Sequence, residues 1–108
     1  MSDLTPTQLC KCLGDDIRLG LVCLLAQREV CVCDLVAALG LPQSTVSRHL
    51  TQLRQCGLVV ARREGTWMHY RLNPALPDWA RHTLDTLIGP ARQSLGLSAT
   101  SPSPCCEV

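Results

Sequence analysis

The sequence predicts a mainly α-helical domain that carries one β-hairpin. Apolar residues recur at helical spacing over most of the chain, most clearly in the 43–55 region. Two strand-like runs at 58–63 and 67–72 flank a turn that contains Gly65. Because 108 residues suffice for one core and not for two, we expect a single domain over 1–97 and a flexible Ser/Pro-rich tail over 98–108.

Capping residues place the first three helices. Thr5 and Pro6 suit the N-cap and the first position of a helix that ends before residue 14. Asp15 opens a second helix, which ends near residue 28. After a short extended segment at 30–32, we expect a third helix over 34–39, which Gly40 ends.

The fourth and last helices are defined by their apolar faces. Val46, Leu50 and Leu53 share one side of the fourth helix, whereas polar side chains occupy the other. The last helix is predicted over 78–97, and Gly89–Pro90 is expected to kink or split it.

This order of elements is that of a winged helix-turn-helix. Two short helices meet at a tight turn, the second is polar on its outer side, and a basic hairpin follows. Between residues 42 and 72 there are five arginines and one acid, a balance of 5 − 1 = +4 in a chain whose net formal charge is +1. We therefore predict contacts with double-stranded operator DNA from the following side chains: Gln43, Ser44, Thr45, Ser47 and Arg48 on the helix, and Arg62 and Arg63 on the hairpin.

A Cys-x-Cys pair, Cys31 and Cys33, directly precedes the third helix. Thiolates select soft, thiophilic ions, so the residues themselves predict a site for such an ion beside the predicted helix-turn-helix. In a regular helix the two side chains point apart, and in a strand they lie about 7 Å apart. We therefore expect an ion held by both sulfurs to distort the backbone where the helix begins.

The chain has eight cysteines, but its first residues do not resemble a secretory leader. We accordingly predict a cytoplasmic protein with reduced thiols and no membrane segment. Cys10, Cys12, Cys23 and Cys56 are interpreted as packing residues, and His49 as a structural histidine.

Three segments, 30–35, 43–54 and 62–72, resemble the arsenical-resistance operon repressors of the ArsR/SmtB family. The resemblance implies a homodimer that represses its own operon and is released by arsenite or antimonite, As(III) or Sb(III), with no organic cofactor. Well-known members have a third cysteine where this chain has Val36. Either two sulfurs suffice, or Cys105 or Cys106 of the tail supplies the third ligand, or a small thiol or water does.

The dimer is expected to form through the terminal helices, whose apolar residues exceed what one protomer needs to cover. The candidate interface residues are Leu9, Leu13, Trp79, Leu84, Leu87, Ile88 and Ala91. A thiol-redox-sensing repressor on the same scaffold is the alternative. A thiol oxidoreductase is disfavoured because the chain lacks a Cys-x-x-Cys and a βαβ pattern, so no enzymatic activity is predicted.

Overall fold

A computed structural model describes residues 4–96, and the predicted tail at 98–108 lies outside them. The described part contains five helices and three strands. In chain order these are α1 Pro6–Leu13, α2 Asp16–Leu25, β1 Val30–Cys31, α3 Val32–Leu39, α4 Gln43–Gln55, β2 Val59–Glu64, β3 Trp67–Leu72 and α5 Asp78–Leu95. The predicted fold, mainly helical with a hairpin wing, is confirmed.

The predicted caps fix the helix starts. The Thr5 hydroxyl accepts a hydrogen bond from the Gln8 N–H, and the Gln8 side chain accepts one from the Thr5 N–H, which makes a capping box. The Asp15 carboxylate accepts hydrogen bonds from the N–H groups of Ile17 and Arg18, at 2.8 and 3.3 Å. At the end of α3, Gly40 adopts a left-handed conformation with φ of 66°.

The sheet is antiparallel, with the strand order β1-β3-β2. β2 and β3 form the predicted hairpin, and Gly65, with φ of 63°, lies in the turn between the paired residues Glu64 and Trp67. β1 adds a third strand by pairing Val30 with Tyr70 and Cys31 with His69. The sequence predicted only an extended segment there, because a run of two residues shows no alternation.

The core lies where α2 packs against the other four helices and against β3. α2 is buried on nearly all sides, and each neighbouring element contributes apolar side chains to the same cluster. Its fully buried members include Leu21, Val22, Leu35, Val46, Leu50, Leu53, Leu58 and Leu84. No helix within residues 4–96 combines the length and the apolar character needed to cross a membrane.

The helices differ from the prediction in several details. α2 ends at Leu25 rather than near residue 28. α3 begins at Val32, two residues earlier than expected, which places Cys33 in its first turn. α5 is one helix that passes through Pro90, so of the predicted kink or split at Gly89–Pro90 the split does not occur. A proline costs the helix one backbone hydrogen bond, and the buried Leu84 and Ala91 secure α5 on either side of that position.

The cysteines also depart from the prediction of reduced packing residues. Cys12 at the end of α1 and Cys56, the C-cap of α4, form a disulfide. Their 44-residue separation explains why neither the sequence around Cys12 nor that around Cys56 indicated a pair. Cys23 is fully buried, as expected, and burial raises the pKa of its thiol.

Candidate nucleic-acid interface and dithiol site

α4 presents the polar side that the sequence predicted. Val46 and Leu50 are fully buried, and α3 is one of the elements against which α4 packs. The predicted DNA contacts lie on the other side, where Gln43, Ser44 and Arg48 are exposed and Thr45 and Ser47 are half-buried. Small polar side chains next to one arginine allow close approach to base edges and a bidentate contact with guanine.

The beginning of α4 is suited to a phosphate. Its N-cap is Pro42, whose side chain has no acceptor to offer the first N–H groups of the helix. Thr45 and Val46 donate to the Pro42 carbonyl, at 3.1 Å each, which leaves the earlier N–H groups of Gln43 and Ser44 for another acceptor. A DNA phosphate is an acceptor of the right charge for this helix end.

Arg18 of α2 ties α4 to the rest of the domain. Its Nη1 donates to Gln52 Oε1 at 2.6 Å and lies 3.3 Å from His49 Nδ1, and both partners belong to α4. Its Nε donates to the Cys12 carbonyl at 2.7 Å, so the same guanidinium also secures the end of α1. His49 is 8% exposed and contacts Arg18, which agrees with its interpretation as a structural histidine.

On the hairpin, Arg62 has a carboxylate partner that the sequence did not reveal. Its Nε and Nη2 donate to Glu29, at distances of 2.7 to 3.0 Å, and its Nη1 lies 3.5 Å from Glu64. The hydrogen bond from Arg62 lowers the pKa of the Glu29 carboxyl despite some burial. The guanidinium is thus engaged within the protein, whereas the neighbouring Arg63 is exposed.

The Cys31 and Cys33 sulfurs lie 3.2 Å apart. Cys31 is both the last residue of β1 and the N-cap of α3, and its backbone is extended, with φ of −72° and ψ of 149°. The sulfur separation expected for a regular strand or a regular helix therefore does not apply, because a strand turns into a helix between the two residues. Cys31 is buried at 3% exposure, and Cys33 is half-buried.

The Cys31–Cys33 pair is connected to both of the elements that carry the predicted DNA contacts. α3, which carries Cys33, packs against α4. Cys31 pairs with His69 in β3, and His69 in turn pairs with Arg62 in β2. A change at the sulfurs can thus reach α4 through a helix contact and the hairpin through backbone pairing.

Within residues 4–96, no cluster of three or more His, Cys, Asp or Glu side chains could hold a metal ion. The two candidate third ligands, Cys105 and Cys106, lie outside the described residues.

The predicted dimer residues divide into two groups. Leu9, Leu84 and Ala91 are 2 to 4% exposed and belong to the interior of the protomer, and Leu13 and Ile88 pack against the core. Trp79, at 38% exposure, and the half-buried Leu87 remain accessible on α5. The surface open to a second copy is therefore narrower than the predicted stripe.

The fold is that of a DNA-binding transcription regulator of the winged helix-turn-helix class. α4 is its recognition helix, with a polar outer side, and β2 and β3 form a basic hairpin to which β1 adds a third strand. The family described as bacterial regulatory protein, arsR family, matches residues 15–60. The arsenical resistance operon repressor of Escherichia coli is 51% identical over 86 residues, covering 79% of this chain and 74% of that protein. An arsenic resistance transcriptional regulator of Pseudomonas putida is 43% identical over 79% of this chain and 75% of its own length. The chain belongs to the ArsR family.

Solved structures agree with this assignment. HlyU from Vibrio cholerae superposes with a TM-score of 0.69 at 32% identity, covering 75% of this chain and 85% of that chain. The transcriptional repressor BigR from Xylella fastidiosa gives a TM-score of 0.67 at 34% identity, over 77% of this chain and 82% of its own.

Proposed function

We propose that this protein is an arsenic-responsive transcriptional repressor. It binds operator DNA as a homodimer and leaves it when As(III) or Sb(III) binds Cys31 and Cys33. The observation that carries the proposal is the 3.2 Å separation of the two sulfurs at a junction connected to both DNA-facing elements. The names of the two relatives, one an arsenical resistance operon repressor, support arsenic as the inducer.

The sulfur geometry suits one ion. Two sulfurs each about 2.3 Å from a shared ion, the usual distance for a zinc thiolate, lie about 3.3 Å apart if the bond angle is near 90°. The observed separation is 3.2 Å, so the sulfurs need little movement to share an ion. In the reduced protein, arsenous acid would take one proton from each of the two thiols onto a departing hydroxide, so two As–S bonds form and two waters leave.

The burial of Cys31 explains why binding of an ion there would move other parts of the protein. Cys31 is 3% exposed, so an ion on its sulfur needs space that packed neighbours now fill. The beginning of α3 then shifts, and α4 follows because the two helices pack together. A dimer must seat two recognition helices roughly 34 Å apart, and a coupling of about 1 to 3 kcal/mol between ion and DNA is typical of such linkage.

A third sulfur is assigned to Cys105 or Cys106 on sequence grounds. Val36 cannot ligate, and the sequence after the last helix carries two adjacent cysteines, Cys105 and Cys106. Deletion of 101–108 should leave operator binding intact and reduce the sensitivity to arsenite moderately, because Cys31 and Cys33 remain.

The outer face of α5 is the surface assigned to dimerisation. A shallow recess there is lined by His82, Thr83, Thr86, Leu87 and Pro90. With the exposed Trp79, this recess offers apolar surface on a face that the protomer leaves uncovered.

The test is arsenite-induced release of operator DNA under reducing conditions. Cys31→Ser and Cys33→Ser should bind the operator as the wild type does and should fail to release it. Cys10→Ser is the matched control, because Cys10 is an exposed cysteine on α1 and not part of the proposed site, and it should respond normally. Wild-type release by both Cys31→Ser and Cys33→Ser would refute the site.

A further inference from the structure

A second cysteine pair lies outside the proposed arsenic site, at the C-terminal end of α4. Cys12 sits in the last turn of α1 and is 5% exposed, while Cys56 is the half-buried C-cap of α4. Their sulfurs are bonded to each other. The proposed response to arsenic uses neither of them.

The surroundings of this pair favour thiol chemistry. Cys12 and Cys56 line an open cleft of about 310 Å³, together with Lys11, Arg18 and three glutamines. Among the described residues, no carboxylate lines this cleft. Thiolates are the nucleophilic form of cysteine, and neighbouring cations stabilise them. A small oxidant can therefore reach a thiol that lies beside two positive charges.

We propose that Cys12 and Cys56 form a reversible redox site that gives this repressor a second input, separate from the dithiol at Cys31 and Cys33. The oxidant is a peroxide. The thiolate of Cys56, the more accessible of the two, attacks one peroxide oxygen, so the O–O bond breaks and a sulfenic acid forms. Cys12 then attacks the Cys56 sulfur, and the disulfide forms. Two electrons pass from the thiols to hydrogen peroxide, which leaves as two waters.

The bond acts on DNA binding through the end of α4. In the bonded structure the two Cα atoms lie 7.2 Å apart, so the disulfide ties the C-cap of α4 to the last turn of α1 and limits how far α4 can move relative to α1 when it enters the DNA groove. Arg48 lies eight residues before Cys56, which is about 12 Å along the helix. Arg18 lines the same cleft and donates hydrogen bonds both to Gln52 of α4 and to the Cys12 carbonyl. A movement of Cys12 therefore also affects how Arg18 holds α4. Oxidation should therefore lower operator affinity.

The experiment compares the reduced full-length protein before and after treatment with hydrogen peroxide, without arsenite. Peptide mapping after thiol alkylation should find the bond between Cys12 and Cys56. The dissociation constant for operator DNA should rise at least about fivefold, the lower end of usual allosteric coupling, and return on reduction. Cys10→Ser, two residues from Cys12 and exposed, should behave as the wild type does.

Cys56→Ser removes the bridge at a half-buried helix end and leaves the core residue Cys12 in place. It should keep the operator affinity of the reduced wild type under peroxide and still release DNA with arsenite. A peroxide response in Cys56→Ser equal to that of the wild type would overturn the proposal, as would a map without the Cys12–Cys56 bond. Failure of the arsenite response alone would instead count against the proposed function.

Discussion

The ion pair between Glu29 and Arg62 leads to a quantitative prediction about the hairpin. Replacing Glu29 by Gln removes the carboxylate that receives the Nε and Nη2 groups of Arg62, at 2.7 to 3.0 Å. Arg62 is on an exposed part of β2, and its guanidinium then becomes available to a DNA phosphate. We expect Glu29→Gln to bind DNA more tightly than the wild type, for specific and random sequences alike.

The size of the effect follows from counterion release. Each additional phosphate contact steepens the dependence of log affinity on log salt by about 0.9, so two hairpins in a dimer add up to about 1.8. Raising the salt concentration from 50 to 200 mM should therefore reduce the affinity gain of Glu29→Gln by a factor of about 3.5 for each hairpin and about 12 for the dimer. The change is large enough to separate from experimental scatter in a fluorescence anisotropy titration.

The assay is the salt dependence of operator affinity for the wild type, Glu29→Gln and a double variant that also carries Arg62→Ala. The double variant should lose the gain, because no guanidinium remains to be released. A slope unchanged by Glu29→Gln would show that Arg62 makes no phosphate contact. An increase that persists in the double variant would show that the charge of Glu29 acts without Arg62.

Three further predictions concern the helices. Arg48→Ala should weaken operator binding by about 1 to 3 kcal/mol and relax specificity at one base position, because Arg48 is exposed on the side of α4 predicted to face DNA. Equal losses of affinity for specific and random DNA would show that Arg48 does not contact a base. Leu87→Glu should yield monomers by analytical ultracentrifugation, since it charges the recess on α5, and a stable dimer would place the interface elsewhere. Asp15→Ala should lower the free energy of unfolding by about 0.5 to 2 kcal/mol at neutral pH through loss of the N-cap of α2. Burial opposes ionisation of Asp15, but hydrogen bonds from the N–H groups of Arg18 and Ile17 lower the pKa of its carboxyl below 3.8. Urea unfolding should therefore show the lower stability of Asp15→Ala at neutral pH. The two proteins should become equally stable as the pH falls below the pKa of Asp15 in the folded protein.

Local signals in the sequence were enough to predict most of the fold. Thr5, Asp15 and Gly40 act within their own helix ends, so their capping roles could be predicted without knowledge of the tertiary structure. The hairpin was equally visible, because its turn and alternating strands are contiguous. β1 was not, since its identity as a strand depends on pairing with β3, about 40 residues later.

The candidate site was predicted in its residues but not in its geometry. Cys31 and Cys33 stood out by spacing, yet regular strand and helix geometry gave the wrong distance, because the chain changes from one to the other between them. The Glu29–Arg62 and Cys12–Cys56 pairs span 33 and 44 residues, and nothing in their local sequence marks them as partners. Such pairs depend on how α1, α4 and the hairpin pack around α2.

The most direct test of the proposed arsenic site is a count of sulfur ligands by X-ray absorption at the arsenic edge. We expect the wild type to show two As–S bonds from Cys31 and Cys33 and a third from the tail, and the protein lacking 101–108 to show two from cysteine. A variant with both Cys31→Ser and Cys33→Ser should lose these bonds together with arsenite-induced release. The same sulfur count in that double variant as in the wild type would contradict the account, because arsenic would then be bound by other cysteines.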